Sequence, residues 1–514
     1  MRAAALPGLV FVLALTAATV LLFAWPTVAD PDSFYHYAHA RIYFEQRSFD
    51  QSFPWTAFSA TGKFDADLWL GIHVFALPFT WLADPVVGLK LAIAVWIAAS
   101  ATVVWFALHR LQPTLAWAAP LLIFFSGGLE TGRLLALRPQ GLSLALLLLS
   151  LSLLVRPSRW WVGAATGFAF AFFHQTLSWM LVPCVLFGFV VSFLLQRQRS
   201  SAFTALFLLL GLVVGWCLRP GAIDALTLMR IQIVDLSAAR SQGIPLPFGT
   251  EVYKLTASEL FGSFPVFAVA WIACLLGGAA MVLKRRDRID NETIALFAIS
   301  GGLSLAFYQL LLVGSSRGLE YWVATASIVI VNAMVLVGTA LPKAAPRWTQ
   351  VGLGVVILAC ATPSLISLHG FMTSAAIDPR RFQPVMDAIA IRSKPGDLVW
   401  TAQWEIFPEL LFWNRKNVYV QGMDPIFLYS SEPAKFWQIQ YLRYRKTSDH
   451  TFDGPPGPAT AQTGLHEVLS QDFRAKWALL IKPATPELAA YMAKAPGFEM
   501  VYDDEVVAAY RIDP

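Results

Sequence analysis

Two short acidic motifs stand where chemistry is possible: Asp30-Pro31-Asp32 and Asp65-Ala66-Asp67, with His36, His39 and His73 around them. Carboxylates paired at this spacing can do two things. They can hold a divalent cation, magnesium or manganese, through hard oxygen ligands, with His36 and His73 completing the set. Alternatively, one carboxylate can act as a general base towards an incoming hydroxyl, with no metal at all. A structural role competes with both. Pro31 disfavours helical geometry at Asp30, so either Asp30 or Asp32 could cap a helix starting near Ser33. On that helix His36, His39 and Tyr43 share one face, and Arg41 lies on another.

These motifs need elements to position them, and composition says what kind. The 514 residues are 57% hydrophobic and 14% charged, against about 45–50% and about 25% in a soluble domain. The chain is a polytopic α-helical membrane protein. Apolar runs fall near 6–23, 86–108, 113–127, 139–155, 160–175, 177–195, 202–218, 263–283, 293–314, 321–340 and 349–368, about eleven transmembrane helices. The first run ends in Thr27-Val28-Ala29, which resembles a signal-peptide cleavage site, but an uncleaved first helix is the better reading in so apolar a chain.

The links between runs set the topology. His109-Arg110, Arg156 and Arg159, Arg197 and Arg199, Lys284 to Arg288, and Lys343 with Arg347 are short and basic. With Arg2 they predict these links and the N-terminus on the cytoplasmic side. The opposite links carry Glu130, Asp224, Asp235, Glu251 and Glu320, and the polar first loop 28–85 lies with them. The net charge of +5 is explained by orientation in a membrane, and nucleic acid is excluded as a partner. Cys184, Cys217, Cys274 and Cys360 all fall inside apolar runs and read as buried free thiols.

Beyond about residue 370 the runs shorten. The chain therefore divides into a transmembrane domain, 1–369, and a small extracytoplasmic α/β domain, 370–514. Leu398–Thr401, Asn417–Val420, Trp477–Ile481 and Glu499–Tyr502 read as strands, 433–445 and 464–473 as helices, and 453–463 as a turn-rich loop. The link 221–261 is long for a connector, so a lid or a re-entrant surface segment is expected there.

Arginines collect in the links opposite the basic ones: Arg133 and Arg138 beside Glu130 and Gln140, Arg219, and Arg317 near Glu320, with His174 and Gln175 at another turn. An arginine fork suits phosphate. Arg138 and Arg317 lead the candidates for binding a donor phosphate, with Arg133 and Arg219 behind them.

The string Asp30-Pro31-Asp32-Ser33-Phe34-Tyr35-His36 directly after a first membrane helix resembles the first-loop motif of GT-C glycosyltransferases, as do Phe53-Pro54-Trp55-Thr56 and Asp67 with His73. That superfamily holds oligosaccharyltransferases, protein O-mannosyltransferases and lipid A aminoarabinose transferases. The resemblance implies a bacterial inner-membrane enzyme that moves a sugar, with inversion, from a polyprenyl-phosphate-type lipid to an extracytoplasmic glycan, lipid or protein acceptor. It also implies that the first-loop acid, Asp30 or Asp32, is the catalytic carboxylate. The chain departs from oligosaccharyltransferases where they carry W-W-D-Y-G: it has Thr401-Ala402-Gln403-Trp404-Glu405-Ile406-Phe407. Two rivals stand beside this reading. One is a surface-polysaccharide polymerase or ligase, in which the arginines carry the reaction. The other is a non-catalytic transporter or assembly protein, against which the concentration of charge at one face argues.

Overall fold

The computed structural model of this protein describes residues 6–247, 249, 253–340, 345–444, 447–457 and 462–513. Arg2, Glu251 and Lys343 lie outside the described residues, as do Phe248 of the long link and residues 458–461 of the turn-rich loop. The chain folds as two compact units. One comprises residues 1–30, 69–219 and 249–377; the other comprises residues 31–68, 220–248 and 378–514.

The first unit is helical. Among the described residues, eight helices are long and apolar enough to cross a membrane: Leu6–Phe23, Pro85–His109, Ser178–Gln196, Arg199–Cys217, Pro265–Arg288, Asn291–Val313, Ser316–Thr339 and Arg347–Ser374. Gln140–Val155 and Trp160–Phe173 are apolar but shorter. The run 113–127 is not a continuous span. It forms a seven-residue helix, Ala118–Phe124, and the chain then breaks at Gly127 before the helix Gly128–Leu134. A Cβ on Gly127 would lie 2.5 Å from the Phe264 ring, so the break is packed too tightly for any larger residue.

Small residues let helices meet backbone to backbone. The helices Trp160–Phe173 and Arg199–Cys217 do so through Gly163, Gly167, Gly211 and Gly215. A Cβ on Gly167 would stand 1.9 Å from the Leu208 carbonyl oxygen, and one on Gly211 would stand 2.0 Å from that of Ala164. Cys184 and Cys360 are buried thiols, but Cys217 is exposed and Cys274 half-buried. Both lie on helix faces that the described chain leaves partly or wholly uncovered, which an apolar sequence run cannot distinguish from the packed side.

The second unit is α/β. Its strands are β1 (Leu398–Thr401), β2 (Val418–Tyr419), β3 (His450–Phe452), β4 (Gln462–Gly464), β5 (Trp477–Ile481), β6 (Phe498–Asp503) and β7 (Val507–Ile512). Five of them form a mixed sheet in the order β2-β1-β5-β7-β6, and β3 pairs with β4 as a separate hairpin. The first loop is part of this unit. Thr56 bridges Tyr419 in parallel, with Tyr419 N donating to Trp55 O at 2.8 Å and Ala57 N to Tyr419 O at 2.9 Å. The loop thereby covers the β2 edge, which would otherwise expose unpaired backbone groups. Its helix, Asp32–Gln46, packs Phe34 edge-on against Phe412 at 5.2 Å, and Glu45 accepts two hydrogen bonds from Arg415, at 2.8 and 3.1 Å.

The long link is also folded. Residues Ala222–Ser241 are helical with one π turn at Ile231–Asp235. The link buries Leu228 and Ile231 and leaves Ile223 and Val234 exposed.

Candidate active site

In the helical unit the polar groups of the first, third, fifth, seventh and ninth links meet one another or their neighbouring helix ends. The first helix delivers Asp30 there. Lys90 anchors its end by donating to the carbonyls of Leu22 and Trp25, at 3.1 and 2.6 Å, where the helix dipole favours a cation. Val28 and Ile377 then exchange two backbone hydrogen bonds of 2.9 Å each, so Asp30 leaves from a pinned segment. Its carboxylate accepts from Arg138 Nε at 2.9 Å, and the two side chains are 14% and 15% exposed. The Arg138 backbone is fixed in turn, its carbonyl accepting from the Trp96 indole at 2.8 Å. A pair so shielded from water interacts more strongly than one at a surface.

Arg133 bonds Glu320 at 2.8 Å. Glu130, on the same short helix as Arg133, is fully buried, and neither of its carboxylate oxygens has a hydrogen-bond partner among the described residues. Burial, then the charge of Glu320, pushes the Glu130 carboxyl well above the usual range against the pull of Arg133. Burial and Glu320 together thus favour the protonated, neutral form of Glu130.

His174 is fully buried. Its Nδ1 lies 2.9 Å from Ser143 Oγ, which lies 3.2 Å from the Tyr321 hydroxyl. Burial and then the nearby Arg317 charge lower the imidazole to about 3, so it is neutral. Arg317 sits in the short turn Ser316–Gly318, and its guanidinium has no ion pair or hydrogen bond among the described residues. Arg219 is buried and directs its guanidinium at the carbonyls of Ala171 and Phe172, at 3.3 and 3.4 Å.

The second unit holds Asp32 as the first residue of the helix Asp32–Gln46. That helix is capped by Pro31 with no side-chain hydrogen bond, so neither acid is used as the N-cap that the sequence allowed. Down one side of the helix runs a buried polar chain. His39 Nδ1 lies 3.1 Å from the Tyr35 hydroxyl, and Tyr43 donates to Asp67 Oδ2 at 2.8 Å. Gln51 donates to the Tyr43 hydroxyl at 3.3 Å and accepts from the Asp67 amide at 3.3 Å. Phe53 covers the His39 ring at 5.0 Å. Burial, then the charges of Asp67 and Asp32, raises the Tyr35 phenol well above its usual range. Tyr43 is raised likewise by burial and by Asp67. Both therefore stay protonated, Tyr43 as a donor to the Asp67 carboxylate and Tyr35 beside the His39 ring nitrogen.

The structure thus joins Asp30 to Arg138, and separates the two residues of the second acidic pair by environment. Asp67 is buried at 3% exposure, whereas Asp65 is exposed, with its amide bonded to Asp224 at 3.1 Å. His36 is buried with its ring edge-on to Tyr35 at 5.2 Å. His73 is fully buried on the helix Leu70–Ala76. Arg133 and Arg219 have partners in the helical unit. Residues that sequence reasoning passed over include Gln51, Ser143 and Tyr321. A serine and a tyrosine inside apolar runs carry a faint signal, and Gln51 in a polar loop carries none.

No family model and no curated protein sequence matches the chain. Solved structures do. The apo oligosaccharyltransferase of Archaeoglobus fulgidus aligns with a TM-score of 0.58 at 12% identity, over 99% of this chain and 74% of its own. The same protein in complex with zinc and sulfate aligns with a TM-score of 0.58 at 12% identity, over 98% and 73%. ArnT from Cupriavidus metallidurans in the apo state aligns with a TM-score of 0.57 at 13% identity, over 99% and 98%. Both proteins are GT-C glycosyltransferases, and the chain has the GT-C fold that its first loop resembles.

Proposed function

We propose that this GT-C-fold protein of the membrane transfers a glycosyl group from a polyprenyl-phosphate-type lipid to a hydroxyl or amide acceptor outside the cytoplasm. The observation that carries this reading is the shielded pair of Asp30 and Arg138, an acid and a phosphate-binding group held together at the end of the first helix. In the reaction the acceptor oxygen or nitrogen forms a bond to the anomeric carbon as the bond from that carbon to the phosphate oxygen breaks. The acceptor proton passes to the first-loop carboxylate, Asp30 or Asp32, and the electron pair leaves on the phosphate. Arg138 and Arg317 stabilise that charge, which is larger in the transition state than in the bound donor. Inversion follows from a single displacement, as the first-loop resemblance implies.

His39 and Asp67 are the residues of the second unit that would hold a divalent ion. A ring nitrogen of His39 and a carboxylate oxygen of Asp67 lie within 4.8 Å of each other, both buried. A mixed nitrogen and oxygen donor set suits zinc or manganese better than magnesium. The related oligosaccharyltransferase has been solved with zinc. If bound, such an ion supplies Lewis-acid stabilisation of phosphate charge. The basic links support an orientation with the N-terminus inside and residues 378–514 outside.

The test is Asp30→Asn and Asp32→Asn, each assayed for transfer from a radiolabelled polyprenyl-phosphate sugar in isolated membranes. At least one variant is expected to lose roughly 10²–10⁴-fold in rate. Full activity in both, at normal expression, overturns the assignment. Repeating the assay with a chelator tests the ion.

A further inference from the structure

A pocket of about 380 Å³ lies in the second unit between residues 245–247 and the helix Pro433–Tyr444. That volume is at the lower end for small-molecule sites, about 300–1,000 Å³, and accommodates one or two sugar rings. The helix contributes Trp437, Gln440, Tyr441 and Tyr444. The spacing i, i+3, i+4, i+7 places all four on one helix face. Pro245 and its neighbours form the opposite wall. Three aromatic side chains and a primary amide thus share one concave surface.

We infer that this pocket is a subsite for a neutral carbohydrate, the sugar-bearing part of the acceptor; the inference rests on the glycosyl-transfer reading above. Among the described residues no charged side chain lines the pocket, and the nearby Arg443, 4.7 Å from the Tyr444 ring, already donates two hydrogen bonds to the Glu405 carboxylate, which disfavours a phosphate or carboxylate there. An alkyl chain fits no better. Gln440 is only 7% exposed, and among the described residues its side-chain carbonyl oxygen is buried without a hydrogen-bond partner, so an occupant carrying a hydroxyl can supply a bond that an apolar one cannot. An extended peptide needs a run of backbone partners along a groove, whereas this pocket is compact and offers a single amide. A pyranose meets each feature at once. Its hydroxyls donate to the Gln440 oxygen, and its C–H face lies on the half-exposed ring of Tyr444.

The test uses the full chain in lipid nanodiscs, since sugar-headed detergents would compete. Saturation-transfer NMR is recorded with the methyl glycosides of glucose, galactose, mannose and N-acetylglucosamine as probes. At least one should give a saturable signal from its ring protons at millimolar concentration. Gln440→Leu and Tyr444→Ala should each weaken it roughly fivefold or more, the loss of about one hydrogen bond or contact. Tyr444 is 49% exposed, so its variant tests the site without disturbing the core. In the transfer assay Tyr444→Ala should raise KM for a glycan acceptor and leave kcat unchanged. No signal with any glycoside overturns the inference, as does equal binding by both variants. Displacement of the glycoside by the peptide acetyl-Pro-Leu-Pro-amide overturns it in favour of a peptide site. Binding needs no turnover. Glycoside binding in a protein that transfers no sugar would therefore refute the catalytic reading alone, and activity without glycoside binding would refute this one alone.

Discussion

At the residue scale, the helical unit sorts its ionisable groups into engaged and available ones. Arg133 and Arg219 are held by Glu320 and by backbone carbonyls, while Arg317 stands beside neutral His174 with no hydrogen bond or ion pair among the described residues. Arg317→Ala should therefore raise KM for the lipid-linked donor about tenfold or more, the loss of a charge-assisted hydrogen bond. Arg317→Lys should recover only part of this, because an ammonium lacks the planar fork. Steady-state kinetics with the donor varied separate the two. Glu130 makes a second prediction, with a defined sign. Its folded-state pKa is raised above the unfolded value of about 4.5, so the folded state keeps a proton that the unfolded state releases. Stability is then greatest below that unfolded value and falls as pH rises towards the folded pKa. Glu130→Gln should flatten this decline in a plot of Tm against pH. His174 acts in the opposite sense. Its pKa is lowered from 6.5 to about 3, so its contribution is full above about 6.5 and is lost as pH falls through that range.

At the element scale, the tightest constraint is the contact between the helices Trp160–Phe173 and Arg199–Cys217. Any side chain at Gly167 or Gly211 would overlap a backbone carbonyl, and neither helix can withdraw without opening its other packing. Gly167→Leu and Gly211→Leu are each expected to cost about 3 kcal/mol or more, seen as lost expression and a lowered Tm in nanodiscs. Gly277, with nothing within 4 Å of an added Cβ, should accept Leu with little change. Elements in the second unit were legible to different degrees. Leu398–Thr401 and Trp477–Ile481 have the bounds that their apolar runs predict. The strand Val507–Ile512 escaped notice because Ala508 and Ala509 carry little strand preference. It is buried between two antiparallel neighbours, and those neighbours stabilise it.

At the scale of the whole molecule, eight long apolar helices, with the two shorter ones and the broken segment at 118–134, are compatible with the eleven runs in the sequence. The orientation proposed from the basic links has a direct check. Asp287 and Glu499 are 78% and 60% exposed at the side chain. In intact cells, cysteine at position 499 should react with a membrane-impermeant maleimide above the wild-type background. Cysteine at 287 should react only after the cells are opened. The reverse pattern would invert the molecule and move the proposed sugar transfer to the other side.

By itself the sequence determined the class of molecule, the number of apolar runs and the chemical character of the first loop. Each of these is written in composition, period or adjacent residues. A membrane makes that reading easy, because a spanning helix must satisfy its backbone internally and be apolar along its length. Tertiary structure alone decided which charges meet. Asp30 and Arg138 are 108 residues apart, and nothing local to either predicts the other as its partner. The same holds for Thr56 and Tyr419, whose pairing rests on backbone hydrogen bonds and leaves no mark in side-chain pattern. The acidic pair after the first helix was visible from the start. Only the packing of distant links showed that Asp30 stands against a guanidinium in a shielded site, where a charge has most effect.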